Sequence, residues 1–483
     1  MSYRPEHPPA APRTYQRAPR ERRVERNDDN LAWIFLPCAA GVESLLEAEV
    51  SRILASVTPD ARVSDLRSQR GGVELRGDLL VAMALNLHSR LAQRVLWQVV
   101  EGGYRDEHDL YELGWQVRWQ DWITPRHTLR VDCTATRSPL RSLHFAALRI
   151  KDAVCDQLRE RLGERPSVDA HHPDLALVLH VSEDRAMLSV DLSGEALFKR
   201  GWREQQGEAP LKETLAAAML AAADWQGRES DGVLLDPCCG AGTIAIEAAQ
   251  IACGMAAGLQ RRFAFEQLLP FRDLARPWRD LQDQAHAARH APLVQVVAGD
   301  VAFRMTDFAA RNAERAGVAQ AIELKTMDAL QRAAPAERGV MMLNPPYGER
   351  IGAKGTGAGG RDQDDRHDMP IDRDRRDDVR EARDPRDARP QQRVSREDFE
   401  GGGTPEAFFG ALATHWKRNY AGWTAWVLSP DAKLPQAMRL KESRRVPMWN
   451  GPIECRLFRF DLVAGSMRKD AGGAAPSQEP QPG

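Results

Sequence analysis

The segment LLDPCCGAGTIAIEAA, residues 234–249, decides the fold of the C-terminal half. Its apolar start predicts a buried strand that ends at Asp236, and its alanine-rich end predicts a helix that begins near Gly242. Glycines at such a turn permit close approach of a ligand, and the first N–H groups of a helix lack partners within the helix. The segment is neither a P-loop nor a dinucleotide fingerprint, because Thr243 and Ile244 replace the Lys-Ser/Thr pair and the G-x-G-x-x-G spacing is absent. By itself it predicts a strand–turn–helix unit, which is either a ligand loop or a tight turn.

From about residue 205 onwards, strand-like and helix-like runs alternate. Strand-like runs occupy residues 232–236, 293–300, 321–328, 339–346, 423–430 and 455–462, and helix-like runs occupy residues 242–253 and 303–317. Strands that alternate with helices of this length imply right-handed crossovers. The C-terminal half is therefore predicted to be α/β, with a doubly wound, mainly parallel sheet.

Acidic residues close three successive predicted strands, at Asp236, Asp300 and Asp328. Ligands of doubly wound sheets bind at the carboxyl ends of the strands, and an acid at the end of the second strand holds a ribose through its hydroxyls. Asp328 is placed to accept a hydrogen bond from the amine of an adenine. Any one of these acids could instead cap a helix, but three in succession predict a nucleoside-binding site.

The segment MMLNPPYGER, residues 341–350, ends a predicted buried strand on an amide, two prolines and an aromatic ring. Pro345 stops the strand pairing and leaves the Asn344 side chain and the Pro345 carbonyl as neighbouring acceptors. Tyr347 offers a flat face to a nucleobase. Two acceptors beside a ring suit the holding of a planar exocyclic amine in line with an electrophilic methyl group, a task in which positioning supplies most of the acceleration.

The N-terminal half, residues 31–200, mixes short strands with amphipathic helices and is predicted to be α+β, with two small sheets. Cationic side chains gather around its long helix and around the junction between the halves, where they could contact RNA phosphates or form ordinary solvated helix faces. The candidate RNA-binding residues are Arg137, Arg141, Arg149, Lys151, Arg200 and Arg203.

The composition limits the remaining possibilities. The 67 Lys and Arg residues nearly balance the 69 Asp and Glu residues, so the 483-residue chain carries no overall basic coat, although local basic faces remain possible. Its seven cysteines form no CxxC pair, so we expect no metal site and a reducing compartment. Without a long apolar run or a signal peptide, no membrane partner is expected, and the predicted location is cytoplasmic. Three segments are too polar to bury a core and are predicted to be disordered: the basic tail 1–28, the Arg/Asp-rich insertion 353–403 and the tail 466–483.

Four motifs taken together carry a family resemblance. The segments LLDPCCGAGT, AGD, TMD and NPPYGER resemble motifs I to IV of class I S-adenosylmethionine-dependent RNA methyltransferases that modify exocyclic amines. Residues 148–160, 190–220 and 450–460 resemble the THUMP-containing, guanine-N2 half of the bacterial RlmL family, which modifies 23S rRNA. The resemblance implies a ferredoxin-like and THUMP RNA-binding region at 29–200 and a Rossmann-like methyltransferase domain at 205–465.

The resemblance also implies roles for single residues. The cofactor S-adenosyl-L-methionine would contact Asp236, Pro237, Gly240, Gly242, Thr243, Asp300, Asp328 and Asn344. The target amine would be held by Asn344, Pro345, Pro346 and Tyr347. Two departures from the family pattern are Ala302, where many relatives carry a second acid, and the pair Cys238-Cys239 in the loop.

The implied substrate is 23S rRNA or a large-subunit assembly intermediate, with guanine 2445 as the family's target base. Three alternatives remain open from the sequence: a guanine-N2 enzyme that acts on tRNA, a non-catalytic RNA-binding assembly factor, and a DNA amino-methyltransferase. The complete set of motif residues argues against the non-catalytic alternative, and the THUMP-like half argues against the DNA enzyme.

Overall fold

The computed structural model describes residues 31–205, 210–345 and 405–463. The two predicted tails, the Arg/Asp-rich insertion, Pro346 and Tyr347 lie outside these ranges. Within them, no helix is both long enough and apolar enough to cross a membrane.

In the described part of the N-terminal half there are eight strands and four α-helices. In chain order they are β1 (Ala32–Pro37), α1 (Glu43–Val57), β2 (Ser64–Gln69), β3 (Gly72–Gly77), α2 (Leu79–His88), β4 (Leu96–Gly103), α3 (Glu107–Trp115), β5 (Thr128–Ala135), α4 (Leu143–Leu162), β6 (Ser167–Val168), β7 (Leu175–Val181) and β8 (Arg185–Asp191).

All eight strands form one sheet in the order β2-β3-β1-β4-β8-β7-β5-β6, so the prediction of two small sheets is wrong. The reason is the length of β4. Its first two residues, Leu96 and Trp97, pair with β1, and the strand also pairs with β8 along its course from Leu96 to Gly103, with a bulge between Gln98 and Val100. One strand therefore joins the ferredoxin-like pairs to the THUMP-like pairs.

Among the described residues of the C-terminal half, seven strands and six α-helices are present. In chain order they are α5 (Glu213–Ala222), β9 (Val233–Asp236), α6 (Thr243–Ala252), α7 (Ala275–Ala287), β10 (Val296–Asp300), α8 (Phe303–Arg315), β11 (Ile322–Thr326), β12 (Gly339–Leu343), α9 (Pro405–Asn419), β13 (Thr424–Ser429), α10 (Leu434–Met438), β14 (Arg444–Asn450) and β15 (Ile453–Asp461).

These strands form a second sheet in the order β11-β10-β9-β12-β13-β15-β14. The first five strands of that order are parallel, as predicted, and β15 and β14 add an antiparallel edge. The strands β14 in this sheet and β2 in the other were not predicted from the sequence. The edge strand β2 is almost wholly exposed and polar, so it carries no apolar alternation from which to recognise it. The edge strand β14 places Val446 and Met448 toward the core, but a proline lies between them, and proline argues against a strand.

The central strands of this sheet are buried on both faces. Leu234 and Met342 pack in the apolar cluster that contains α5 and α6, whereas Leu235 and Met341 pack with the side chains of α9. Burial on both faces explains why the strands read as continuous apolar runs. Helices in both layers thereby fix the end of β9, from which the turn to α6 begins.

The two halves of the chain touch each other closely. Gly41, before α1, has φ +83°, and a β-carbon there would lie 2.3 Å from the carbonyl oxygen of Pro447 on β14. Only glycine permits both this left-handed backbone and this approach. The ferredoxin-like end of the first sheet is therefore seated against the antiparallel edge of the second.

Candidate functional site

Three acidic side chains predicted for the site converge at the carboxyl edge of the parallel sheet. Asp236 ends β9, Asp300 ends β10, and Asp328 lies two residues beyond β11. All three act on the thiol of Cys238, whose pKa is raised by burial first and then by the negative charges of Asp236, Asp300 and Asp328. The acids therefore surround one place, as the strand pattern predicted, and Cys238 is held there as a neutral thiol.

Asp236 is a buried acid without a hydrogen-bond partner. Its side chain is 1% exposed, and neither carboxylate oxygen has a partner in the part of the chain that the structure describes. Burial raises the pKa of its carboxyl well above the usual range, and the charge of Asp300 raises it further. The Cys238 amide lies near enough to oppose this rise without making a hydrogen bond of normal geometry. An unpartnered acid of this kind is costly in the folded chain, and a cationic or N–H-bearing ligand group would satisfy it.

Asp300 accepts hydrogen bonds from two turns, the turn after β9 and the turn after β10. One of its carboxylate oxygens accepts a hydrogen bond from the Gly240 amide at 3.0 Å, and the other accepts from the Ala302 amide at 3.0 Å. Burial raises the pKa of the Asp300 carboxyl, although these amides oppose that rise. Each oxygen keeps a second acceptor site, so the oriented carboxylate can still receive two ligand hydroxyls.

The two glycines of the turn have different roles. Gly240 has φ +52°, and a β-carbon there would face open space, so the backbone at this point is accessible to a ligand. Gly242 has φ +88°, and a β-carbon there would lie 2.9 Å from the Cβ atom of Ala309 on α8. Gly242 is thus required by helix packing, which is a different reason from the ligand approach that the sequence suggested. Thr243 is buried, and its hydroxyl accepts a hydrogen bond from Arg203 at 2.8 Å.

Asn344 and Pro345 lie beside the same turn. They follow β12, which pairs in parallel with β9 from Gly339 to Met341, so both strands end at the same edge. Pro345 is buried, and Asn344 is partly exposed.

Asp328 accepts a hydrogen bond from the Leu330 amide at 2.8 Å, so it shapes its own turn as well as facing the edge.

Acceptor groups thus dominate this edge, where carboxylates and an amide stand beside an accessible glycine backbone. Such a set can hold a ligand that presents an ammonium group, ribose hydroxyls and aromatic amines. Among the described residues, no group of three or more His, Cys, Asp or Glu side chains is arranged to hold a metal ion.

The prediction that Arg200 contacts RNA is wrong. Arg200 is 2% exposed, and its Nε donates to Glu247 of α6 at 3.0 Å. Arg90 donates to the other oxygen of Glu247 at 2.9 Å, so one carboxylate joins two cations in the interior. Burial raises the pKa of Glu247, but the charges of Arg200 and Arg90 outweigh burial and hold it below the usual range. A guanidinium used in this way cannot reach a phosphate.

Arg203 is likewise committed within the protein, against the prediction. Its side chain is 13% exposed, and its Nε donates to Glu213 of α5 at 2.8 Å. Another nitrogen reaches the Leu211 carbonyl and the Thr243 hydroxyl. Arg200 and Arg203 therefore connect the chain between the two halves to the helices α6 and α5, through ion pairs with acids of those helices.

The four cations near α4 divide into two pairs. Arg149 lies 4.8 Å above the Tyr111 ring and 3.9 Å from Asp152, and Lys151 lies 2.7 Å from the same Asp152. Arg137 and Arg141 are exposed, and within the described residues no ion pair involves either of them. They stand just before α4, and with their charges unneutralised they are the better candidates for phosphate contacts.

Sequence reasoning missed Asn312, which is fully buried on α8. Its side-chain amide donates to the Ala241 carbonyl inside the turn and to the Gln205 carbonyl in the junction, both at 3.0 Å. The available signal was a polar residue among Ala309, Ala313 and Ala316 on the apolar stripe of this helix. A buried amide of this kind needs partners on other segments.

Comparisons with known proteins agree with the domain layout. Three family models match the chain in order: an RlmL ferredoxin-like domain at residues 34–96, a THUMP domain at 104–191 and an RMKL-like methyltransferase domain at 200–358.

Two relatives are named ribosomal RNA large subunit methyltransferase K/L. The protein from Syntrophotalea carbinolica is 33% identical over 89% of this chain, and the protein from Pseudomonas aeruginosa is 32% identical over 92%. These matches cover 53% and 56% of the relatives, so the chain spans about half of their length.

A crystal structure described as a methyltransferase complexed with S-adenosylhomocysteine has the same fold. It superimposes with a TM-score of 0.70 and 22% identity, and the match covers 91% of this chain and all of the other.

Proposed function

The chain belongs to the family of THUMP-containing methyltransferases with an RMKL-like catalytic domain, and on that premise we propose that it methylates the exocyclic N2 amine of a guanine in 23S rRNA. The observation that carries the proposal is the meeting of Asp236, Asp300, Asp328 and Asn344 at one edge of the parallel sheet. The relatives' names support rRNA as the substrate. An rRNA substrate also fits the cytoplasm as the compartment.

The proposed cofactor is S-adenosyl-L-methionine, which when bound supplies an electrophilic methyl group. The residues present fit it. The unpartnered oxygens of Asp236 would accept from its ammonium group, and the oriented Asp300 carboxylate would receive its ribose hydroxyls. Asp328 would accept from the adenine amine, and the accessible backbone of Gly240 would let the cofactor approach.

Asn344 and Pro345 are the proposed holders of the target amine. The Asn344 side-chain oxygen and the Pro345 carbonyl would each accept one N–H of the guanine amine and turn its lone pair toward the methyl donor. They would also stabilise the positive charge that forms on the nitrogen until a proton leaves. Alignment of this kind is worth an effective molarity of about 10⁵ M or more. Pro346 and Tyr347, the remaining proposed contacts of the base, lie outside the described residues.

The RNA would be positioned by contacts to its backbone. Arg137 and Arg141 are the proposed phosphate contacts, and Arg149 and Lys151 keep a secondary role because Asp152 shares their charge. Phosphate contacts fix the register of the RNA without reading its sequence. The target guanine must leave its stack, at a cost of about a few kcal/mol.

One experiment separates the proposed substrate from its rivals. The full chain is incubated with labelled cofactor and with separate pools of rRNA, tRNA and DNA from cells that lack the protein, and the nucleosides are identified by mass spectrometry. We expect label in N2-methylguanosine of the 23S rRNA. Label in tRNA or in a DNA base would overturn the substrate, and an absence of transfer to every pool would favour a non-catalytic assembly factor.

A further inference from the structure

The turn between β9 and α6 is contacted by residues 200–205, which belong to the connection between the two halves of the chain and are called the joining segment below. Asn312 of α8 uses both N–H groups of its side chain, one on the Ala241 carbonyl in the turn and one on the Gln205 carbonyl in the joining segment. Its oxygen accepts from Arg315 at 2.5 Å. Both donors of this buried amide and one acceptor site of its oxygen are therefore used to link the turn, the joining segment and Arg315.

The joining segment is itself anchored, so the link has a fixed support. Arg315 donates to the Trp202 carbonyl at 2.9 Å and contacts the side chain of Gln205. On the other side of the segment, Arg203 donates to the hydroxyl of Thr243, the first residue of α6. The segment thus holds the turn at two points, Ala241 and Thr243, from the side of α8 and from the side of α5.

The backbone of the turn explains why such support matters. Gly240 and Gly242 both adopt left-handed conformations, with φ +52° and +88°, and Ala241 lies between them. A short segment that contains two glycines loses much conformational entropy when it is ordered. The carbonyl of Ala241 is the one group of this turn that Asn312 holds, so its orientation depends on that amide.

We propose that Asn312 is a positioning residue for the cofactor turn: its amide locks the Ala241 carbonyl to the joining segment and so pre-orders Gly240 for the cofactor. The inference rests on the proposed use of S-adenosylmethionine. It assigns to α8 and to the joining segment a part in cofactor affinity that acts through the turn, because Asn312 is fully buried and its side-chain N–H groups donate to the carbonyls of Ala241 and Gln205. Binding becomes weaker when the turn must be ordered at the moment of binding, because that ordering subtracts from the affinity.

The test uses the full chain and the product S-adenosylhomocysteine as the probe in calorimetry. Asn312→Asp keeps the shape of the side chain but replaces the two N–H donors by an acceptor that faces two carbonyl oxygens. Asn312→Ser is the second variant. It removes the side-chain amide that donates to the carbonyls of Ala241 and Gln205, and it adds no charge. Asn86→Asp is the matched control, because Asn86 is 1% exposed and donates to a carbonyl within its own helix, α2.

We expect the dissociation constant for S-adenosylhomocysteine to rise about tenfold or more in both Asn312 variants. In Asn86→Asp it should stay within about twofold of the parent value at a comparable loss of melting temperature. In turnover assays the KM for the cofactor should rise in the Asn312 variants while the KM for RNA stays unchanged, a split that a general loss of stability would not produce.

Two outcomes would overturn the inference, and they can be told apart. If the parent chain binds S-adenosylhomocysteine and both Asn312 variants bind it equally well, the positioning role is wrong while the proposed function stands. If the parent chain binds no S-adenosylhomocysteine at all, the proposed cofactor is wrong and the inference falls with it.

Discussion

The amide of Gly240 donates a hydrogen bond of 3.0 Å to the Asp300 carboxylate, although Gly240 follows β9 and Asp300 ends β10. The turn after β9 is thereby fastened to the end of β10. Asp300 is held by this bond and by the Ala302 amide before any ligand arrives. Asp300, the acid proposed to bind the ribose, therefore also holds the turn in place. Its removal should weaken cofactor binding both by the loss of the ribose contact and by the loss of the hydrogen bond to Gly240.

Asp300→Ala is expected to raise the dissociation constant for S-adenosylhomocysteine by about 10- to 100-fold, because hydrogen bonds to a charged group are lost. Asp300→Asn should lose less, since its remaining oxygen can still accept from one amide. Calorimetry on the full chain measures both values. Asp307→Asn on α8, where Asp307 pairs with the exposed Arg311, is the control. Unchanged affinity in Asp300→Ala would refute the ribose assignment.

Asp236→Asn is expected to stabilise the ligand-free protein while weakening the binding of the cofactor. The pKa of the Asp236 carboxyl is higher in the folded chain than the ordinary value of 3.8, so the folded state binds this proton more tightly than the unfolded state. The free energy of unfolding then falls as the pH rises from about 3.8 through the folded-state pKa. The neutral amide removes this loss, which for an unpaired buried group is about 1–3 kcal/mol.

Melting curves at several pH values test this prediction. The melting temperature of Asp236→Asn should exceed that of the parent at neutral pH, and the difference should shrink as the pH falls toward the ordinary pKa of the carboxyl. Asp191→Asn is the control, because Asp191 is equally buried but accepts from Arg94 and from the Ser193 amide. That variant should melt at a lower temperature. A destabilised Asp236→Asn would contradict the cost assigned to the unpartnered carboxylate.

Asn344→Ala should keep its affinity for S-adenosylhomocysteine within about twofold and lose roughly 10²–10³ in the rate of methyl transfer. The expected loss is that of one hydrogen bond that acts on the charge developing in the transition state. Single-turnover transfer of a labelled methyl group to rRNA measures the rate. Asn419→Ala, on the exposed side of α9, should transfer at the parental rate. Near-normal transfer by Asn344→Ala would remove Asn344 from the proposed amine clamp.

Arg137→Gln with Arg141→Gln should weaken RNA binding and flatten its dependence on salt, because each phosphate contact adds about 1 to the slope of log affinity against log salt. Binding titrations at several salt concentrations give this slope. Arg161→Gln, at the opposite end of α4, is the matched control and should leave the slope unchanged. An unaltered slope in the double variant would place the phosphate contacts elsewhere on the protein.

Glu247→Gln should destabilise the chain by about 3–5 kcal/mol, because it leaves the buried Arg200 and the nearby Arg90 without their counter-charge. Glu74→Gln, which breaks the pair with the exposed Arg67, should cost about 0–1 kcal/mol. Urea unfolding of both variants supplies the comparison. If both variants lost the same free energy of unfolding, burial of the Arg90–Glu247–Arg200 group would not determine how much that group stabilises the chain.

The sequence predicted well what depends on local pattern. The buried strands around Asp236 and Asp300, and the meeting of β9 and β12 at one edge, follow from apolar runs and from the rules of parallel sheets. Asp328 was predicted to close the third strand, but β11 ends at Thr326 and Asp328 lies two residues beyond it.

The sequence could not predict which partner a charged side chain would choose. Arg200 and Arg203 resemble surface cations in the sequence, but the acids that bury them, Glu247 and Glu213, lie 47 and 10 residues further along the chain. Likewise, the need for glycine at position 242 comes from Ala309 on another helix. Such relationships exist only after the helices have packed.

The shared strand β4 has a mechanical consequence. At Leu96 and Trp97 this strand is paired on both sides, so bending there would break its hydrogen bonds, and the ferredoxin-like and THUMP-like pairs form one continuous body. The same body is seated on the catalytic half through Gly41 and through the ion group of Glu247. In the proposed reaction, the distance between the RNA backbone held at Arg137 and Arg141 and the amine held at Asn344 would therefore help to select the target base.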